Sequence, residues 1–267
     1  MMMAQIINRR QLKTEMKDLL RTAQVSAVGM TALYMGITAL LDLADIAAGG
    51  QAALGLGSLM STFVSVLTAL VGMVLSAGFV LYCMAIRRGE RAEYLTLFDG
   101  FSFVGKVIGL NIVITVFTSL WTMLFIIPGF IATYRYRFAL YNLYENPGIG
   151  IMEALDMSKR QTMGYKSQLF LLDMSYLGWS LLSSVPLLVL EGVVLIEMPQ
   201  GMPDLAWTLI IDLWALVVSL FYLPVYQCTE LGYFDIAKST SGVGFGAEPP
   251  RQDGWNGRTH PDDLGGW

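Results

Sequence analysis

Between Asp45 and Arg87 lie 41 residues without a charged side chain, Ile46 to Ile86. Two further runs share the property: Thr22 to Leu41, 20 residues, and Val107 to Tyr134, 28 residues. A helix of about 20 apolar residues spans the roughly 30 Å hydrocarbon core of a bilayer. A soluble domain can bury one such helix but not several. The chain is 55% hydrophobic and only 14% charged, where soluble domains carry about one quarter charged residues. The reading is all-α: a polytopic transmembrane helical bundle with about six membrane segments.

The segments are expected at 23–43, 58–86, 104–127, 130–145, 168–190 and 205–230. The fourth is short and follows a break at Pro128-Gly129. Residues 1–22 form a cytoplasmic amphipathic basic helix ahead of the transmembrane domain, 23–238. Leu12, Met16, Leu19 and Leu20 recur at helical spacing, with Arg9, Arg10, Lys13, Lys17 and Arg21 around them. Such a helix either lies on anionic headgroups or packs as a cap on the bundle. An amphipathic connector is expected near 149–166, after the turn signal "ENPG". Residues 239–267, rich in glycine and proline, are expected to be a disordered cytoplasmic tail. The spacing Gly105-xxx-Gly109 is a weak signal for close helix approach.

Orientation follows from the 17 basic residues. Five lie in the N-terminal helix, four at 87–106, three at 159–166 and three at 238–258. The connections near 44–57, 128–129 and 192–204 carry only acids: Asp45, Glu197 and Asp204. Basic residues stay on the cytoplasmic side, so both termini are expected there, and 130–145 must cross back to keep Lys159, Arg160 and Lys166 inside.

That crossing leaves Arg135 and Arg137 within the membrane. A buried arginine at such depth costs about 3 kcal/mol or more unless paired or hydrated. Counting residues from the loop ends places Asp212 and Glu191 at similar depth. The expected intramembrane cluster is therefore Arg135, Arg137, Glu191 and Asp212. It reads either as a polar cavity on an ion or substrate path, or as an ion pair fixing helix register, with the tyrosines as an interfacial belt.

Cys83 and Cys228 have no CxxC or metal-ligand spacing and read as small apolar packing residues. The one histidine, His260, lies in the tail, and HExxH, P-loop and GxSxG patterns are absent. No catalytic residue, metal or cofactor is expected. The basic residues lack the clustered patch of a nucleic-acid binder. The expected partners are the lipid bilayer and either an anionic lipid or another membrane protein.

The segments "FIIPGFIATYRYRFALY" (125–141), "EALDMSKRQTMGYKSQLFLLDMSYLGWSLL" (153–182) and "LPVYQCTELGYF" (223–234) together resemble the bacterial integral membrane proteins catalogued as domain of unknown function 975. The resemblance implies a multi-pass protein of the bacterial cytoplasmic membrane with no catalytic residues to carry over. The leading expectation is a non-enzymatic scaffold or accessory protein binding a membrane partner or lipid. The alternative is a transporter or permease component using Arg135, Arg137 and Asp212.

Overall fold

The computed structural model describes residues 6–48, 59–186, 188 and 204–244. Nine α-helices are described: α1 Arg9–Thr22, α2 Ala27–Ala47, α3 Leu59–Arg87, α4 Val104–Leu124, α5 Ile126–Arg135, α6 Ala139–Glu145, α7 Ile151–Gln161, α8 Lys166–Ser183 and α9 Asp204–Ser241. A 3-10 helix, η1, runs Tyr94–Phe103 between α3 and α4. Among the described residues, four stretches are long and apolar enough to cross a membrane: α2, Ser61–Arg87, Tyr94–Leu124 and Thr208–Ser241.

The last helix is longer than the segment expected at 205–230. α9 has 38 residues and continues 11 residues past the expected end at 230 and three past 238. Pro224 sits inside it and removes one rung of the backbone ladder. α9 packs along α2, α8, α1 and α3 and so forms the spine of the bundle.

The expected break is displaced. Phe125, not Pro128-Gly129, is extended (φ −157°, ψ 142°), and α5 begins at Ile126. Proline is tolerated in a first helical turn because its missing N–H would have had no partner there. Pro128 therefore marks the start of the returning helix. Gly129 lets that helix fold tightly against α4: a Cβ there would lie 2.2 Å from Thr122 Oγ1 and 2.8 Å from Thr122 Cα. Of the Gly105-xxx-Gly109 pair, only Gly109 meets a neighbour: a Cβ there would lie 2.9 Å from Ile151 Cδ1, whereas one at Gly105 would meet nothing within 4 Å.

α5 and α6 retrace α4. Lys106, in the first turn of α4, donates to the carbonyls of Pro147 and, at 3.2 Å, Ile149. The chain just past α6 has thus returned to the level where α4 began. The same end of the bundle collects the other charged links. Arg88 pairs with Glu145 at 2.9 Å, Lys238 pairs with Glu145 at 2.6 Å, and Arg87 pairs with Asp235.

Residues 94–103, between the expected second and third segments, form η1. Leu97 lies on Gly78 of α3, where a Cβ would stand 1.8 Å from the Leu97 carbonyl oxygen. Tyr94, Leu95, Phe98 and Phe101 face outward, so η1 presents an apolar outer surface.

α1 buries Leu12, Met16 and Leu20 against the bundle. Its start is capped by Asn8 Oδ1, which accepts from the Gln11 N–H. Arg10, Lys17 and Arg21 are exposed, while Arg9 and Lys13 are half-buried. Of the two readings of this helix, the bundle cap describes its apolar face. Cys83 and Cys228 are free and buried.

Candidate functional site

The break between α5 and α6 is where the site is built. Residues 136–138 are not α-helical, and the connector α7 holds them. Ser158 Oγ accepts from the Phe138 N–H at 3.1 Å and donates to the Arg135 carbonyl at 2.9 Å. Thr162 Oγ1 lies 3.4 Å from the same carbonyl. One turn on, Asn142 and Gln161 exchange two amide hydrogen bonds, each 2.8 Å. Ser158, Gln161, Thr162 and Asn142 are all fully buried. The backbone groups freed by the break therefore find partners inside the protein, as buried backbone requires.

This fixed break aims Arg137 at two carboxylates. Its Nε and Nη2 donate to Glu230 Oε1 and Oε2 at 2.7 and 3.0 Å. Its Nη2 and Nη1 donate to Asp173 Oδ1 and Oδ2 at 3.1 and 3.2 Å. Both contacts are forks, a geometry that guanidinium supplies and ammonium does not. Three tyrosines complete the shell. Tyr226 and Tyr134 each donate to Asp173 at 2.8 Å, and Tyr141 donates to Glu230 at 2.6 Å. Gln227 Nε2 donates to the Tyr141 hydroxyl at 3.0 Å, and Arg137 Nη2 also contacts the Tyr226 hydroxyl. Side-chain exposure grades the three charges: Glu230 4%, Arg137 21%, Asp173 23%.

The cluster differs from the one expected. Arg137 is in it. Arg135 is not: the break turns its side chain away toward α7 and the start of α8. There Lys166 feels it, its ammonium pKa lowered by burial and then by the Arg135 guanidinium. Asp212 does not reach Arg137. It shares a helical face with Glu230, but 18 residues earlier, about 27 Å along the axis. One Asp212 carboxylate oxygen is buried with no hydrogen-bond partner among the described residues. Glu191 lies outside the described residues. The partners that sequence reading missed are Asp173 and Glu230. The available signal was a polar face at helical spacing: Tyr134, Arg137 and Tyr141 on one side, Tyr226 and Glu230 on the other.

A cavity of about 280 Å³ opens beside the cluster, between α8 and α9, lined by Asp173, Met174, Tyr176, Leu177, Ser180, Tyr222 and Tyr226. α1 meets α8 nearby, at Leu171, Ser175 and Tyr176. Lys13 Nζ donates to Ser175 Oγ at 2.7 Å and sits 3.9 Å from the centroid of the Tyr176 ring. Arg9 Nη1 donates to the Leu171 carbonyl at 2.7 Å. The site thus joins a saturated ion cluster to an aromatic groove. Among the described residues, no group of His, Cys, Asp and Glu has the arrangement of a metal site.

No curated protein and no solved structure matches the chain. A family model does match, and its range takes in α5 to α9 with every member of the Arg137 cluster. Over residues 122–239 the chain matches the family described as protein of unknown function (DUF975).

Proposed function

We propose that the protein is a non-enzymatic, multi-pass accessory protein of the bacterial plasma membrane that binds a lipid in the groove between α8 and α9. The observation that carries this is the groove itself. It is open, walled by tyrosines and apolar residues, and Lys13 lies over the ring of one of those tyrosines, Tyr176. Leu177, Trp179, Leu181 and Phe221 flank it with exposed apolar surface, on which acyl chains find partners.

The arrangement in the membrane has six crossings: α2, α3, α4, the α5–α6 pair, α8 and α9, with both termini cytoplasmic. Support comes from Lys106, whose bonds to Pro147 and Ile149 bring the end of α6 back to the start of α4. The basic residues gathered at that end agree with a cytoplasmic face. Within this frame the Arg137 cluster sets helix register by tying α5–α6, α8 and α9 together, a use of buried charge known from other bundles.

The test is lipid retention. The full chain, purified in mild detergent and delipidated, should still carry near-stoichiometric phospholipid by native mass spectrometry. Ser180→Trp, which fills the groove from an exposed position, should strip that lipid while leaving the thermal transition in place. A lipid-free wild type, or retention unchanged by Ser180→Trp, would refute the proposal.

A transporter or permease component is the second reading. Its support is the single guanidinium facing two carboxylates, one of them reachable from the groove. Flux of a cationic solute in proteoliposomes, abolished by Asp173→Asn, would favour it.

A further inference from the structure

A second cavity, of about 530 Å³, lies at the charged end of the bundle and shares no lining residue with the α8–α9 groove. Its walls are the end of α1 with the link to α2, and the end of α3 with the link to η1. Both links are fixed. The Tyr82 hydroxyl of α3 donates to the Val25 carbonyl at 2.9 Å. Gly89, at φ 70°, closes α3. Its N–H donates to the Ile86 carbonyl and the Glu90 N–H to the Ala85 carbonyl, both at 3.0 Å. Glycine takes this left-handed turn without strain, and residues 90–92 after it line the cavity. Arg87 anchors the same end of α3 to α9, through Asp235 and the Cys228 carbonyl.

Three arginines line this space, Arg87, Arg88 and Arg91, against one acid, Glu90. Arg87 is paired one to one with Asp235. Arg88 gives a single nitrogen, Nη2, to Glu145, and Glu145 also serves Lys238. One carboxylate thus answers two cations, which leaves a formal surplus of one positive charge. The Arg88 side chain is 45% exposed. Arg91 is exposed and, among the described residues, makes no hydrogen bond or ion pair. Arg88, Glu90 and Arg91 also line a neighbouring cavity of about 290 Å³, so they stand together between the two. That neighbour adds a second acid, Asp99. The excess of arginine therefore belongs to the larger space.

Two guanidiniums beside one space repel each other unless an anion lies between them. Each offers a planar fork that matches carboxylate or phosphate oxygens. A carboxylate fills one fork, whereas a phosphate has oxygens enough for two. The volume is in the range of small-ligand sites, and Gln24 adds an amide donor to the wall. We propose that this cavity is a phosphate-binding site in which Arg88 and Arg91 hold the phosphate oxygens and Glu90 tempers their pull. The phosphate is that of a lipid headgroup or of a small soluble ester, since the same forks take either. The site does not rest on the lipid reading of the α8–α9 groove.

The experiment titrates the delipidated full chain in mild detergent with glycerol phosphate, read by calorimetry, and with phosphatidic acid, read by native mass spectrometry. Saturable binding of at least one probe is expected. Arg88→Gln and Arg91→Gln should each weaken it about tenfold or more, the scale of lost hydrogen bonds to a charged group. Neither variant strands a buried charge: Arg91 has no partner to lose, and Glu145 keeps Lys238. Glu90→Gln should tighten binding severalfold. Lys17→Gln removes the same unit of charge from an exposed position on α1 outside the cavity, and should change nothing. Binding of phosphatidic acid alone assigns the phosphate to a lipid, and binding of glycerol phosphate assigns it to a soluble ester; either upholds the site. Failure of both probes to bind overturns the proposal. So does a loss in Lys17→Gln as large as in Arg91→Gln, which would trace binding to diffuse surface charge. Ser180→Trp, which tests the groove, should leave phosphate binding unchanged, so the two readings fail separately.

Discussion

Arg137 meets Glu230 through two parallel hydrogen bonds, 2.7 and 3.0 Å long, and spends the rest of its fork on Asp173. Removing one member of a buried pair costs about 3–5 kcal/mol, because it leaves the other charge without compensation. The cost here is unequal by charge count. Glu230→Gln leaves a neutral Arg137–Asp173 pair. Arg137→Gln leaves two adjacent carboxylates with no cation. Arg137→Gln should therefore be the more destabilising substitution, and Glu230→Gln should partly rescue it in the double variant. Arg137→Lys should rescue little, since an ammonium cannot fork to both carboxylates. Thermal unfolding in detergent, followed by size-exclusion fluorescence, measures the order. Equal losses for Arg137→Gln and Glu230→Gln would show that charge compensation is not what holds the cluster.

The clamp by α7 gives a second set of outcomes. Ser158→Ala deprives the Phe138 N–H and the Arg135 carbonyl of their shared partner, and should cost about 1–3 kcal/mol. Asn142→Leu or Gln161→Leu alone strands a buried amide and should cost a similar amount. The double variant removes both amides together and should be closer to wild type than either single one. A double-mutant cycle on thermal stability reads the coupling.

Much of this fold is legible from one property, the absence of charge over long stretches, because helix length in a bilayer is set by hydrophobic thickness. That property finds α2, α3, α4 and most of α9. It says little about where a helix ends once it emerges at a charged face, and α9 runs on to Ser241 through Glu230, Asp235 and Lys238. Placing the end of the last segment at residue 230 made Glu230 a boundary residue and hid it as a partner. Counting depth from the outer loops selected Asp212, which is on the correct face but five turns away. Arg137 itself was legible, since a charge within a run such as 107–145 demands an explanation. Asp173 had no visible partner in the sequence, because α6, α8 and α9 meet only in three dimensions. The role of α7 was not legible. Ser158, Gln161 and Thr162 look like polar residues of a surface connector, and their value lies in backbone groups that only the break exposes.

Gly129 offers a test of the displaced break. Gly129→Ala would set a methyl 2.8 Å from the Cα of Thr122, a contact that shortening the Thr122 side chain cannot relieve. Forcing an extra carbon into a packed contact costs about 1–3 kcal/mol. Gly129→Ala should lower the thermal transition, and Thr122→Ala should not restore it. Pro128→Ala, in a first turn where proline is tolerated, should be nearly silent. If Pro128→Ala proves the more damaging of the two, the break lies at the proline after all.

Topology can be measured directly at Gly148, which is exposed and where an added Cβ meets nothing within 4 Å. In a background with the buried Cys83 and Cys228 replaced, Gly148→Cys, Glu90→Cys and Ala47→Cys each present one exposed thiol. The proposed six crossings put Gly148 and Glu90 on one face and Ala47 on the other. A membrane-impermeant thiol reagent should label Ala47→Cys in intact cells, and Gly148→Cys and Glu90→Cys only in inverted vesicles. Labelling of Gly148→Cys from outside, with Glu90→Cys still protected, would mean that α5 and α6 do not complete a crossing. Lys106, at the start of α4, would then have to bond to carbonyls on the far side of the bilayer. That is incompatible with its contacts to Pro147 and Ile149. The same measurement therefore tests the orientation and the hairpin of α4 with α5–α6 together.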